Sequence, residues 1–143
     1  MSTPKRLVLD ANILLRGVFG TRVRNLLVSY QEKVAFYTPD LCAGESLKYV
    51  SAIARRRGLD PEESEGNLTQ LLQCCIAIVG QSLYEEFEER ARSRVSSRDV
   101  DDWPVVATAL LLNAPIWTED QDFFGSGIAT WTSNKIELYL RDA

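Results

Sequence analysis

The sequence predicts an α/β domain with a mainly parallel central sheet. Short apolar runs alternate with segments of helical periodicity along the whole chain, and the connections are short. This alternation is typical of strands joined in parallel by helical crossovers. The chain has 143 residues and contains no repeats, low-complexity runs or interdomain linkers. We therefore expect residues 1–143 to form one domain with a substantial core.

The N-terminal part of the chain predicts two strands separated by helix. Residues 6–10 form a β-branched and apolar run that ends in an acid, which is typical of a buried strand. Residues 13–30 have a mostly helical pattern with breaks near Gly17 and Gly20. Residues 34–37 form a second strand, which the following Thr-Pro pair is expected to stop.

The middle of the chain predicts two helices and a third strand. Asp40 is placed to cap a helix that ends at Gly58. The apolar positions of that helix are Leu41, Leu47, Val50 and Ile53. Asp60 begins the next helix as its N-cap, with Pro61 at the first helical position. Residues 76–79 are a short strand.

The C-terminal part of the chain predicts a helix at each end, with loops, strands and a further helix between them. Residues 82–93 form a charged amphipathic helix, and Ser133 is placed to cap the terminal helix. The inward positions of the first helix are Leu83, Phe87 and Ala91. The elements between are a loop at 96–98, a strong helix at about 101–112, a strand at 115–117, a polar loop at 118–127 and a strand at 129–131.

The chain contains no histidine, and this absence excludes several kinds of active site. Ser-His-Asp and Cys-His nucleophile pairs, histidine acid–base catalysis and histidine-ligated zinc are all ruled out. Any catalytic chemistry must depend on carboxylates, hydroxyls, amines or metals held by oxygen. The formal net charge of −4 argues against a generic nucleic-acid coat protein, which would be basic.

The cysteines and the N-terminus indicate a cytoplasmic protein. The three cysteines, Cys42, Cys74 and Cys75, form no C-x-x-C pair, so we expect three buried thiols in a reducing compartment. The sequence shows no signal peptide and no segment long enough to span a membrane.

Many of the basic residues are arginines that occur in groups. These groups are Arg22 with Arg24, residues 55–57, and Arg90, Arg92, Arg94 and Arg98. Arginine is suited to bidentate phosphate contact. The alternative is that each group lies on a solvated helix face, because glutamates are interleaved as counter-charges.

Several acids lie at the ends of predicted strands. Asp10 is the last residue of the first strand, and Asp120 and Asp122 lie just beyond the strand that ends at Trp117. In a parallel sheet the carboxyl ends of strands border the ligand crevice. Asp10 and Asp120 can therefore face one crevice if their strands are near neighbours.

A third acidic position lies at the start of the helix at about 101–112. The residues three, four, seven and eight positions after Asp102 are apolar, namely Val105, Val106, Ala109 and Leu110. Asp102 therefore shares the inward stripe and is assigned to the site. Asp101 is assigned to capping, which leaves Pro104 in the first turn. For Glu45 a surface ion pair with Lys48 is an equal alternative.

Carboxylates gathered in a crevice repel one another, and a divalent cation removes that cost. Mg²⁺ and Mn²⁺ prefer oxygen ligands, activate water and stabilise displacement at phosphorus. With histidine absent, the acids therefore favour a metal-dependent phosphodiesterase. The alternative from this pattern is a set of capped, satisfied surface acids.

Three segments of the chain, at residues 7–14, 102–109 and 115–123, resemble motifs of the PIN-domain family, the nuclease fold that includes toxins of the VapC type. Residues 7–14 resemble its opening strand, where an acid is followed two positions later by Asn, Ser or Thr. Residues 102–109 and 115–123 resemble the segments that carry the third and fourth acids. The resemblance covers nearly the whole chain and implies a three-layer α/β/α sandwich.

The resemblance also implies a set of site residues. The four acids that would bind Mg²⁺ or Mn²⁺ and support RNA cleavage are Asp10, Glu45, Asp102 and Asp120. Asn12 and Thr118 would orient these acids or a water on the metal. Asp122 would be an accessory acid, and its neighbour Phe123 is expected to anchor the loop.

The first functional hypothesis is therefore a Mg²⁺- or Mn²⁺-dependent endoribonuclease that leaves a 3′-hydroxyl and a 5′-phosphate. By resemblance it would be the toxin of a toxin–antitoxin pair, with an antitoxin protein as partner, and a homodimer. The second hypothesis is a non-catalytic PIN-like binding module that acts through a protein partner. The net charge of −4 motivates this alternative.

A third hypothesis is a phosphotransfer domain of the receiver or haloacid-dehalogenase type. The dehalogenase type needs Asp-x-Asp after the first strand, and here Asp10 is followed by Ala-Asn. A receiver domain needs a lysine near the end of a later strand. None of the chain's four lysines, Lys5, Lys33, Lys48 and Lys135, fits that position well.

Overall fold

A computed structural model describes residues 4–95 and 102–141 of the chain, and it contains a five-stranded parallel sheet. The strands are β1 (Lys5–Leu9), β2 (Val34–Pro39), β3 (Ile76–Val79), β4 (Ile116–Trp117) and β5 (Thr130–Trp131). Their order across the sheet is β3-β2-β1-β4-β5, and every neighbouring pair is parallel. The prediction of an α/β fold with a parallel sheet is confirmed.

Helices flank this sheet and form an α/β/α sandwich. They are α1 (Ala11–Phe19), α2 (Thr21–Tyr30), α3 (Asp40–Arg56), α4 (Pro61–Cys74), α5 (Gln81–Tyr84), α6 (Glu88–Arg94), α7 (Trp103–Leu112) and α8 (Ile136–Arg141). Short 3-10 helices also lie at Glu85–Phe87 and Gln121–Phe123. On one side α1, α3 and α4 pack together, whereas α7 packs against α5 and α6 and also contacts β1 and β2.

β1 occupies the centre of the sheet and pairs with β2 on one side and β4 on the other. Leu7, Val8 and Leu9 are completely buried, because the strand is covered on both faces. Burial of both faces explains why the strand is a continuous apolar run rather than an alternating one. The first seven residues of α7 are also buried, so this helix lies deep in the core.

The first helical segment breaks at Gly20, between α1 and α2, and not at Gly17. Gly17 lies inside α1, where a Cβ atom would come within 2.9 Å of Leu71 Cδ1 on α4. The absence of a side chain at Gly17 therefore permits close packing of α1 against α4. In this segment Gly17 permits a close helix contact and Gly20 ends a helix. The local sequence pattern alone does not distinguish these two roles of glycine.

The predicted capping role of Asp40 is wrong. Pro39 belongs to β2 and occupies the N-cap position of α3, and Asp40 is the first helical residue. The Asp40 carboxylate instead accepts a 3.1 Å hydrogen bond from the Gln81 amide and a 2.6 Å bond from the Tyr84 hydroxyl. These contacts join the start of α3 to α5, more than 40 positions away in sequence.

The predicted helix at 82–93 is divided into α5, a 3-10 turn and α6. Ala91 is buried and Phe87 is half-buried as expected, but Leu83 is 59% exposed. The 3-10 turn changes the angular phase of the side chains, so positions predicted from one continuous helix no longer share a face. Two apolar residues of α3, Leu41 and Leu47, are also exposed.

Two further predictions need correction. Of the three cysteines, Cys42 is buried, but Cys75 is half-buried and Cys74 is exposed. α8 begins at Ile136, so Ser133 does not cap it. The Ser133 hydroxyl instead accepts a 3.1 Å hydrogen bond from Trp117 Nε1. The predicted N-cap at Asp60 is confirmed by its 3.0 Å bond from the Glu62 amide.

Candidate active site

Asp10 lies at the carboxyl end of β1 and caps α1. Its side chain is only 7% exposed. Oδ1 accepts a 2.7 Å hydrogen bond from the Ala11 amide. Oδ2 accepts from Asn12 Nδ2 at 3.1 Å and from the Thr118 hydroxyl at 2.8 Å. Three donors from two separate segments therefore fix the orientation of this carboxylate.

The position of Thr118 beside Asp10 follows from the sheet register. β1 and β4 are parallel neighbours, and Leu9 is paired with Trp117. The residue after each strand therefore lies next to the other at the same edge of the sheet. This explains how a donor 108 positions away reaches Asp10.

Thr118 also connects Asp10 to the loop that carries Asp120. The Thr118 hydroxyl accepts a 2.9 Å hydrogen bond from the Asp120 amide, and its side chain is fully buried. Asn12 makes a parallel link, since its Oδ1 accepts a 3.4 Å bond from the Glu119 amide. The two predicted orienting residues thus tie the backbone of the loop to Asp10.

The four predicted acids line one cavity of about 440 Å³, which we call the acidic cavity. Asp10 comes from the end of β1, Glu45 from α3, Asp102 from the start of α7 and Asp120 from the loop after β4. Four separate regions of the sequence therefore contribute a carboxylate to the same space. The other lining side chains include Cys42, Tyr49 and Arg56.

The start of α7 differs in detail from the sequence prediction. Asp102 itself holds the N-cap position, but its side chain makes no capping hydrogen bond. Pro104 lies in the first turn as predicted. The proposed capping residue Asp101 lies outside the described residues. The same is true of the Asp122 side chain, whereas the Phe123 side chain next to it is fully buried.

The structure does not contain the alternative ion pair considered for Glu45. Within the part of the chain that is described, Glu45 makes no salt bridge with Lys48. The Lys48 ammonium instead lies 5.3 Å from the centre of the Tyr49 ring. Glu45 is exposed on α3 and lines the acidic cavity.

The acidic cavity disfavours ionisation of Asp10. Burial raises its pKa from the ordinary value of 3.8 to about 6. The hydrogen bonds from Thr118 and Ala11 oppose this rise, and repulsion from Asp120 and Glu45 adds to it. A cation in the cavity would favour the ionised form, because it would offset both the lost hydration and the repulsion.

Cys42 is a cavity residue that the sequence prediction did not include. Burial raises the pKa of its thiol well above the usual value, and the charges of Asp10 and Glu45 raise it further. The thiol is therefore held protonated and is a poor nucleophile. Its spacing was a usable signal, because Cys42 lies three residues before Glu45 on α3 and so shares a face with it.

The donor chemistry of the acidic cavity fits a divalent cation that prefers oxygen. All four acids supply carboxylate oxygens, which suit Mg²⁺ and Mn²⁺. Among the described residues, however, no three acids or cysteines are grouped closely enough to hold an ion.

Comparison with known proteins gives a family match over almost the entire chain. The sequence profile of the PIN domain matches residues 8–141. No curated protein matches the chain significantly.

Several solved structures share the fold at low sequence identity. PAE2754 from Pyrobaculum aerophilum is 16% identical with a TM-score of 0.71, over 97% of this chain and 91% of that one. VapBC2 from Rickettsia felis, bound to a promoter DNA fragment, is 14% identical with a TM-score of 0.62, over 89% and 98%. VapBC-1 from nontypeable Haemophilus influenzae is 14% identical with a TM-score of 0.57, over 91% and 99%.

Proposed function

We propose that this chain, which belongs to the PIN-domain family, is a metal-dependent endoribonuclease. PIN domains are in general nucleases. One observation carries the proposal: carboxylates from four separate regions line a single cavity around a buried aspartate. Burial and repulsion raise the pKa of that aspartate to about 6, and a bound cation would offset this repulsion.

We assign the four acids to cation binding. Asp10, Glu45, Asp102 and Asp120 would hold Mg²⁺ or Mn²⁺. A bound cation would supply water activation and charge stabilisation for in-line displacement at phosphorus. Hydrolysis by water would leave a 3′-hydroxyl and a 5′-phosphate on the RNA. Asp122 is proposed as an accessory acid of the same loop.

The neighbouring residues have a defined task in this proposal, which is to hold Asp10 in place. Asn12 and Thr118 both donate to Oδ2, whereas Oδ1 accepts from the Ala11 amide. An ionised carboxylate oxygen can accept about two hydrogen bonds. Oδ1 therefore has more acceptor capacity left for a cation than Oδ2, as judged from the described residues.

Cleavage of RNA in the presence of Mn²⁺ tests this function. The wild-type protein should cleave single-stranded RNA with Mn²⁺ and lose this activity in EDTA. The Asp10→Asn variant should be inactive under both conditions. Equal cleavage by the two proteins, or wild-type cleavage that EDTA does not affect, would contradict the proposal.

A non-catalytic binding module is the second candidate. The net charge of −4 motivates it, together with the exposed position of Glu45 on α3. Titration calorimetry separates the two candidates, because the nuclease should bind Mn²⁺ and Asp10→Asn should not. Absence of binding by the wild-type protein at millimolar Mn²⁺ would favour the module.

We extend the proposal to protein partners. The solved relatives named VapBC2 and VapBC-1 support a toxin that pairs with an antitoxin, and a homodimer is proposed with it. Co-expression with the product of the adjacent reading frame tests for the antitoxin partner. Light scattering of the purified protein tests for the homodimer. We also propose that the protein acts in the cytoplasm. No helix in the described residues has the length and apolar character needed to cross a membrane.

A further inference from the structure

A second cavity, of about 460 Å³, lies directly beside the acidic cavity. We call it the arginine cavity, and its main lining residues are Asn12, Leu15, Arg16, Phe19, Ile53 and Arg57. Three of these residues, Asn12, Leu15 and Ile53, line the acidic cavity as well. The two cavities therefore share a wall.

The two cavities differ in their balance of charge. The acidic cavity is lined by the four carboxylates and one arginine, Arg56, whereas the described residues that line the arginine cavity include two arginines and no acid. Neither Arg16 nor Arg57 forms a salt bridge with any residue in the described ranges. In a chain with a net charge of −4, the arginine cavity is therefore a local positive surface next to the acids.

The arginine cavity also contains an aromatic platform. Phe19, the last residue of α1, is half-buried at the cavity wall. The Arg57 guanidinium lies 5.1 Å from the centre of its ring. Aromatic rings and guanidinium planes are the surfaces on which unpaired nucleobases stack. Apolar atoms of Leu15 and Ile53 complete the wall.

Arginine at a helix C-terminus has another use, which is to offset the helix dipole. Arg55 and Arg56 lie in the last turn of α3 and can serve that purpose. Arg57 differs from Arg55 because only Arg57 contacts Phe19 and lines the arginine cavity. Dipole compensation alone therefore does not account for the placement of Arg57.

We propose that the arginine cavity binds one unpaired nucleotide of the RNA next to the cleaved phosphodiester. The base packs against Phe19 and Arg57, and Arg16 contacts the adjoining phosphate. A base in a duplex presents its edges and not its faces, so this contact selects single-stranded RNA. The assignment rests on the proposed function, because it takes the acidic cavity as the place of cleavage.

Binding of a short single-stranded RNA in EDTA tests the proposal without cleavage. The RNA carries one 2-aminopurine at successive positions, whose fluorescence is quenched when the base stacks. One position should be quenched by the wild-type protein. The Phe19→Leu variant should lose this quenching and bind roughly 5- to 100-fold more weakly. Phe19→Tyr should retain both, which separates loss of the ring from loss of folding.

Matched charge changes test the arginines. Arg57→Gln should weaken binding and reduce the quenching, whereas Arg55→Gln removes the same charge two residues away and should change neither. Arg16→Gln should lower the salt dependence, with a slope smaller by about 0.7 for one lost phosphate contact on single-stranded RNA. Equal effects of Arg55→Gln and Arg57→Gln, or absence of RNA binding, would overturn the proposal.

Failure of the nucleotide site can be distinguished from failure of the proposed nuclease function. Loss of Mn²⁺-dependent cleavage with position-specific quenching intact would contradict the nuclease and leave the nucleotide site in place. Cleavage with no quenched position would support the nuclease and overturn the nucleotide site. Equal affinity for duplex RNA of the same sequence would also overturn it.

Discussion

The hydroxyl group of Thr118 donates a 2.8 Å hydrogen bond to Oδ2 of Asp10, although the two residues lie 108 positions apart. The parallel pairing of β1 with β4 places both residues just beyond the end of their strands. The same hydroxyl accepts from the Asp120 amide. One buried side chain therefore sets the orientation of one acid and the backbone position of another.

Removal of this hydroxyl should weaken metal binding without removing a carboxylate. In Thr118→Val the Asp10 carboxylate loses a donor, and the Asp120 amide loses its acceptor. We expect a roughly 10- to 100-fold loss of Mn²⁺ affinity, the usual size of an effect on residues that orient metal ligands. Titration calorimetry measures it.

Thr118→Ser is the matched control, because it keeps the hydroxyl and should retain affinity close to that of the wild-type protein. A Thr118→Val protein that binds Mn²⁺ as tightly as the wild type would show that Asp10 does not depend on this contact.

The metal-free protein should become more stable when Asp10 is replaced by asparagine. The folded-state pKa of about 6 lies above the ordinary value of 3.8, so the folded protein binds the proton more tightly than the unfolded chain does. The contribution of Asp10 to the free energy of unfolding is therefore fully present below pH 3.8, where the side chain is protonated. It is lost as the pH rises through the folded-state pKa of about 6. At pH 8 we expect Asp10→Asn to gain roughly 1–3 kcal/mol.

Urea denaturation in EDTA at pH 4 and pH 8 measures this effect. The difference in unfolding free energy between the variant and the wild type should be larger at pH 8. A variant less stable than the wild type at pH 8 would mean that the lost hydrogen bonds of Asp10 outweigh its cost of ionisation.

Stabilisation by Mn²⁺ should depend on pH. A cation binds the ionised carboxylate, and the pKa of about 6 keeps Asp10 largely protonated at pH 5. We therefore expect saturating Mn²⁺ to raise the melting temperature more at pH 8 than at pH 5. Differential scanning fluorimetry gives the comparison, with Asp10→Asn as the control that should show little shift at either pH. An equal shift of the wild-type protein at both values would contradict the role of Asp10.

The bond between Tyr84 and Asp40 should contribute to stability and not to catalysis. Tyr84 is fully buried, and its hydroxyl donates to Asp40 Oδ1 at 2.6 Å. Tyr84→Phe removes this donor from a charged acceptor, so we expect a loss of about 1–3 kcal/mol. Chemical denaturation measures the loss.

Tyr49→Phe is the control for that experiment, since Tyr49 is 46% exposed and its hydroxyl makes no hydrogen bond within the described residues. It should leave the unfolding free energy nearly unchanged. Equal free energies for the Tyr84→Phe variant and the wild-type protein would show that the bond to Asp40 contributes nothing net.

Local sequence patterns were sufficient for most of the elements and for part of the site. The apolar run before Asp10 and the run before Thr118 both predicted strands, and the structure contains both. The parallel-strand rule then placed Asp10 and Asp120 near one crevice, and both line the acidic cavity. Such predictions succeed because burial of an entire strand or helix face leaves a periodic trace in the sequence.

Contacts between distant segments were not predictable in the same way. Asp40 had the local pattern of a cap, yet it binds Tyr84 on another helix. Ser133 likewise had the pattern of a cap, yet its hydroxyl accepts from Trp117. A polar side chain forms hydrogen bonds with whichever donors lie near it in the folded protein. The local sequence does not encode which distant residues these will be.

The amino-acid order is enough to establish the alternation of strands and helices, the absence of histidine chemistry and the acids available for a site. The folded chain adds that Thr118 donates to Oδ2 of Asp10, that Cys42 lines the acidic cavity and that Arg57 lies over Phe19. The physical reason is that hydrophobic periodicity records which face of an element is buried. The strand order and helix packing determine which side chains then meet.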